Sequence, residues 1–143
     1  MNSLDLPASF IVLSYKYKSV ALKALREAGL NIAPMHIRSL HTINSLDVCT
    51  ANDLVELMDR DKGQIARLVK EMIEKGFVER VQNPDDKRSQ FIEITAFGHE
   101  TLKQMLAIEA DIIKNMRASI TNKQLQGFNE LAFLMTDNLK SNY

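Results

Sequence analysis

The sequence predicts a mostly helical fold that carries one small β-hairpin. Three observations lead there. Apolar residues recur at spacings of three and four along most of the chain, the period of a helix with one buried face. Two capping boxes, Thr50–Asp53 and Asp61–Gln64, stand so close that the helices they open must be joined by a tight turn. Two β-branched and aromatic runs, residues 77–82 and 90–95, flank the turn formers Asn83, Pro84, Asp85 and Asp86.

The elements follow in order. Phe10, Ile11, Ser14, Tyr17, Val20, Ala21, Ala24 and Leu25 mark one face of a first helix, which Gly29 ends. A second helix starts near Pro34, where a missing N–H does no harm, and presents Ile37, Leu40 and Ile43. Thr50 opens a short helix to about Met58 with Leu54, Val55 and Met58 inward. Asp61 opens the next, with Ile65, Leu68, Val69, Met72 and Ile73 on one stripe and Lys75-Gly76 as its stop. That pair is a helix-turn-helix candidate. After the hairpin, Thr95 can cap a long helix carrying Leu102, Met105, Leu106, Glu109, Ile112, Ile113 and Met116. A last box, Thr121–Gln124, starts a helix with Leu125, Phe128, Leu131, Ala132, Met135 and Leu139. There are no internal repeats.

Composition narrows the class. The 143 residues include 45% hydrophobic and 25% charged residues, the balance of one ordinary globular domain. No stretch is apolar for long enough to span a membrane. Met1–Ala8 has no secretion signal, and the single Cys cannot form an internal disulfide, so the expected setting is a soluble, cytoplasmic protein. Lys and Arg together number 18, as do Asp and Glu, so non-specific coating of nucleic acid is disfavoured. The charges are sorted, however. Residues 44–59 carry only acidic groups, whereas residues 60–88 carry eight basic against six acidic ones.

A helix-turn-helix followed at once by a hairpin is a winged helix. Residues 46–98 resemble the MarR (multiple-antibiotic-resistance regulator) family of bacterial transcription factors. The resemblance rests on Thr50–Met58, Asp61–Val69, Ile73–Arg80, Asn83–Ser89 and Ile94–Gly98. The family's wing pattern, Asp then any residue then Arg, falls on Asp86, Lys87 and Arg88. Its leucine-threonine-then-glycine pattern falls on Ile94, Thr95 and Gly98. The chain departs from the family at Ala33, where a capping Thr is common, and at His36, where Gln is common. It also carries Gly63 and Ala66 where relatives often have Ser or Thr. The resemblance implies one chain with a winged-helix part at about 34–98 and helical dimerisation parts at 4–28 and 99–141.

In a helix-turn-helix the second helix enters the major groove. Its outer face here carries Lys62, Gly63, Gln64, Ala66, Arg67 and Lys70. Arg67 can bind guanine bidentately and Gln64 can pair with adenine, while small Gly63 and Ala66 allow close approach. Lys62 and Lys70 suit phosphate contacts. The competing reading is a merely solvated helix face. At the wing, Arg88 would enter a narrow minor groove, Asp86 would hold its guanidinium, and Lys87 would touch phosphate. The flanking helices are too apolar to stand uncovered, and a two-fold homodimer would cover them while presenting two recognition helices to a pseudo-palindromic operator in double-stranded DNA.

The expected function is therefore a sequence-specific, homodimeric transcriptional regulator, a repressor tuned by a small aromatic or other effector. The alternative is a winged-helix interaction module without DNA binding. Tyr15, Tyr17 and His36 are the candidate effector-binding residues. No cofactor and no metal is expected: His36 and His41 do not share a helix face, and zinc held by these two with His99 is the minor reading. Cys49 reads as a buried, inert thiol rather than a redox switch. No phosphate loop, nucleophile elbow or catalytic triad grouping is present, so an enzyme is not expected.

Overall fold

The structure is a computed structural model that describes residues 6–142. Residues 4 and 5 of the expected N-terminal helical part, and most of the Met1–Ala8 stretch, lie outside the described residues. The described elements run α1 (Leu6–Glu27), α2 (Pro34–Asn44), α3 (Ala51–Met58), α4 (Lys62–Glu74), β1 (Val78–Gln82), β2 (Gln90–Ile94), α5 (Ala96–Met116) and α6 (Asn122–Asn142). This is a mostly helical fold with one antiparallel hairpin. The chain divides into two compact units, Met1–Glu109 and Ala110–Tyr143.

Local chemistry sets the ends of the helices in the first unit. Gly29, at φ 81°, lets the Leu30 and Gly29 amides return to the carbonyls of Leu25 and Arg26, satisfying groups that would otherwise be orphaned. Gly76 repeats the motif at φ 80°, with Phe77 bonded back to Met72. Both capping boxes of the helix-turn-helix are closed in both directions, at Thr50–Asp53 and Asp61–Gln64. Between them Asp59 takes the left-handed conformation (φ 53°), which its short polar side chain tolerates.

The core of this unit gathers Leu25, Leu40, Leu54, Met58, Ile65, Val69, Met72, Val78, Ile92 and Met105, each at most 2% exposed. Each such side chain contributes roughly 1.5–3 kcal/mol by leaving water. The hairpin pairs Val78 with Ile94, Arg80 with Ile92 and Gln82 with Gln90. Phe77 and Thr95 fall just outside the strands, because each serves a helix end instead. The Ile92 amide donates to the Cys49 carbonyl at 2.7 Å, tying the loop before α3 to the wing. Thr95 Oγ1 accepts from the Gly98 amide at 3.0 Å and donates to the Gly76 carbonyl, so one side chain caps α5 and anchors it to the end of α4. A Cβ on Gly98 would overlap the Phe77 carbonyl, which explains the glycine there.

The second unit holds the end of α5, a turn with Ser119 at φ 64°, and α6. Thr121 and Gln124 form the expected box: the Gln124 amide donates to Thr121 Oγ1 at 3.2 Å and the Thr121 amide to Gln124 Oε1 at 2.9 Å. None of the described residues of α6 is buried. No helix among the described residues is long and apolar enough to cross a membrane.

Candidate nucleic-acid interface

Helix α4 buries Ile65, Leu68, Val69 and Met72, so its opposite face is forced outward. On that face Lys62, Gly63, Gln64, Ala66, Arg67 and Lys70 are all exposed. Lys70 lies 4.0 Å from Glu74, an exposed i, i+4 pair of small energetic weight. Arg67 has no carboxylate within ion-pair distance among the described residues. It borders an open groove of about 440 Å³ that it shares with Met35, Arg60, Gln64 and Glu71.

Gln64 is committed in a way the outer face alone does not reveal. Its side-chain Oε1 accepts the Asp61 backbone amide at 3.3 Å, and the Gln64 backbone amide donates to Asp61 Oδ1 at 2.8 Å. Bidentate pairing with adenine needs that same oxygen. Capping and base recognition therefore compete for one atom.

The wing tip is ordered by a different device from the one expected. Asp86 does not grip the Arg88 guanidinium; its Oδ1 accepts the backbone amide of Arg88 at 2.9 Å. The reason is reach: a short Asp side chain finds the amide two residues on before it finds a guanidinium at the far end of a long side chain. The Ser89 amide then closes on the Asp86 carbonyl at 3.1 Å, and Asn83 Nδ2 donates to Ser89 Oγ at 2.9 Å. Asp86, Lys87 and Arg88 are all exposed, and Arg88 pairs with no carboxylate among the described residues.

Among the described residues no hydrogen bond or ring contact joins the three effector candidates. His36 is buried, with Nε2 3.3 Å from Glu71 Oε2 and its ring tilted against Phe77. Tyr15 is exposed. Tyr17 is partly buried, and burial followed by the negative charge of Glu109 pushes its phenol above the ordinary range. Glu109 Oε1 also accepts from His41 Nε2 at 2.9 Å. His99 is exposed beside a cavity of about 240 Å³ bordered by Asp47, Cys49 and Glu93. Among the described residues no three His, Cys, Asp or Glu side chains are placed to hold a metal ion. Cys49 is 2% exposed, and burial, then Asp53, pushes its thiol up to about 11. A protonated thiol at neutral pH is a poor nucleophile. The sequence reading missed the link between His36 and Glu71. Its single signal is the imidazole itself, at a position where the family resemblance makes Gln common.

Residues 32–90 match the family model described as the MarR family. The multiple antibiotic resistance protein MarR of Escherichia coli (strain K12) is 29% identical over 75 residues, 52% of this chain and 52% of that protein. The HTH-type transcriptional regulator BilQ of Clostridioides difficile is 32% identical over 60 residues, 42% of this chain and 40% of that one. The matched part thus spans about half the length of these curated relatives, or less. The fold is shared more widely. A mutant E. coli MarR in complex with operator DNA superposes with a TM-score of 0.77 at 21% identity, over 92% of this chain and 94% of that one. BpsR of Bordetella bronchiseptica, whose DNA binding is regulated by 6-hydroxynicotinic acid, gives a TM-score of 0.77 at 12% identity, over 96% of both chains.

Proposed function

We propose that this chain, whose residues 32–90 match the MarR family model, is a homodimeric, sequence-specific DNA-binding transcriptional regulator, a repressor whose DNA affinity a small-molecule effector modulates. The observation that carries the reading is a pair of exposed arginines, Arg67 on α4 and Arg88 on the wing, neither paired with a carboxylate among the described residues and each on an element closed by hydrogen bonds. Arg67 suits guanine in the major groove, and Arg88 suits the negative potential of a narrow minor groove. Lys62, Lys70 and Lys87 serve phosphates and set register, and Gly63 and Ala66 let α4 approach the bases. The expected winged-helix part at about 34–98 and the dimerisation parts at 4–28 and 99–141 belong to the same proposal.

The dimer is supported by apolar side chains left in water. On α1, Phe10 is 67% and Val12 61% exposed; on α6, Phe128, Leu131, Phe133, Leu134 and Leu139 are all exposed. Faces of this kind are normally covered by a partner. Two-fold symmetry then sets the spacing of two recognition helices against two half-sites about one turn of DNA apart. An effector that binds one dimer geometry better than another shifts that spacing and with it the affinity. A small aromatic acid is the proposed chemistry, with Tyr15, Tyr17 and His36 as candidate contacts. The related structure whose DNA binding is regulated by 6-hydroxynicotinic acid supports that class of ligand. The protein acts in the cytoplasm, and no catalytic role is proposed.

Fluorescence anisotropy tests the reading directly. The full chain is titrated with duplexes from its own upstream region and with scrambled DNA, at low and moderate salt. The expected result is a salt-sensitive preference for one pseudo-palindromic duplex with two chains per site. Arg88→Ala should weaken that binding about tenfold and lower the salt slope by about one. No preference at any salt would overturn the reading in favour of a winged-helix interaction module.

A further inference from the structure

His36 and Glu71 are joined across 35 residues of sequence, and neither has a role in the DNA contacts assigned above. His36 is 4% exposed, its ring 6.2 Å from that of Phe77 and tilted by 53°. A carboxylate oxygen only accepts, so the imidazole proton sits on Nε2 and is donated to Glu71 Oε2 at 3.3 Å. Nδ1 is buried and has no hydrogen-bond partner among the described residues. One polar contact therefore orients the ring, and that contact is to the recognition helix.

The consequence lies on α4. Glu71 stands one turn beyond Arg67, the i, i+4 spacing at which a cation and a carboxylate pair on a helix surface. Both side chains border the same open groove with Arg60 and Gln64. Lys70 and Glu74 share that spacing on the same helix and close to 4.0 Å. Among the described residues Arg67 and Glu71 do not pair; the carboxylate is taken by His36 instead. A hydrogen bond from a buried, oriented donor to a charged acceptor outweighs an exposed i, i+4 pair.

We propose that His36 is a positioning residue for Arg67: by holding the Glu71 carboxylate against α2, it keeps the Arg67 guanidinium free for a base edge. The role rests on the DNA-binding reading above. Without His36, Glu71 swings back to Arg67 and cancels part of its charge. The loss is partial, because the rest of the interface remains.

The test uses the full chain and the duplex that wild type prefers, with His36→Phe, Glu71→Gln and the double variant followed by anisotropy. His36→Phe should weaken specific binding about fivefold, and Glu71→Gln should stay within about twofold of wild type. The double variant should recover to within about twofold of wild type, because no carboxylate is left to capture Arg67. A packing role for His36 predicts a double variant as weak as His36→Phe, and that result overturns the proposal. Should His36→Phe not fold, nitrogen NMR of wild-type histidine decides: a proton on Nε2 of His36 is required, and an imidazole protonated on Nδ1 alone overturns the proposal. Wild type that prefers no duplex removes the DNA-binding reading and this role together. Wild type that binds while the double variant stays weak removes this role alone.

Discussion

Helices α4 and α6 are built by the same local rules and finish in opposite surroundings. Each opens at a reciprocal capping box, Asp61 with Gln64 and Thr121 with Gln124, and each carries apolar residues at helical spacing. On α4 the stripe is covered from within the unit, leaving Ile65, Val69 and Met72 at 1% exposure. On α6 the corresponding residues stay in water, with Leu131 at 56% and Leu134 at 58%. Capping and periodicity are therefore enough to make a helix but do not say what covers it. One stripe is completed by its own chain, and the other asks for a second surface.

Breaking the second surface should have the largest effect. Leu131→Glu with Leu134→Glu places two carboxylates where the proposed dimer is apolar, and isolated buried charge costs several kcal/mol per ion. Sedimentation velocity should shift from two chains to one. An unchanged dimer would mean that α6 is not the dimerising face.

Glycines sharpen the same contrast. Gly98 sits where a Cβ would overlap the Phe77 carbonyl, so Gly98→Ala should cost about 3 kcal/mol of unfolding free energy in a urea titration. Gly127, on α6, has nothing within 4 Å of its would-be Cβ. Gly127→Ala should therefore stabilise by about 0.8 kcal/mol through helix propensity alone. A loss there would show that a backbone packs closely against Gly127 in the proposed dimer.

The effect seen only at alkaline pH concerns Cys49, on the closed side of the contrast. Burial, then Asp53, raises its thiol from 9.0 to about 11, so the folded state disfavours the thiolate. The resulting stability is complete below about pH 9 and is lost as pH climbs through about 11. Wild type should lose more stability between those values than Cys49→Ala, as read from urea midpoints. Alkylation of the thiol near pH 8 should be slow and should speed up with denaturant. Fast labelling in the native protein would contradict its burial.

Much of the fold was legible because its signals are local. The boxes at Thr50, Asp61 and Thr121 each satisfy backbone donors within three residues, and Gly29 and Gly76 end helices by a conformation few other residues adopt. The outward face of α4 could be read by subtracting its apolar stripe. The wing is legible as a hairpin, but the part of Arg88 that Asp86 meets is not, since a two-residue turn brings the backbone amide to the short carboxylate while the guanidinium sits at the end of a long side chain. Gln64 was assigned two roles that draw on one oxygen, a conflict that shows only when the atoms are placed.

The sequence by itself determined where helices start and stop, which stripe of each is apolar, and which cations stand on the outer face of α4. These depend on neighbours within about four residues, where spacing alone sets geometry. The tertiary structure decided the rest: that His36 meets Glu71 across 35 residues and that His41 meets Glu109 across 68. Those pairings depend on how α2 packs against α4 and α5, and no local period encodes the partner of a polar side chain. A buried imidazole takes whichever acceptor the packing brings within reach, because leaving its donor unsatisfied costs more than any local preference.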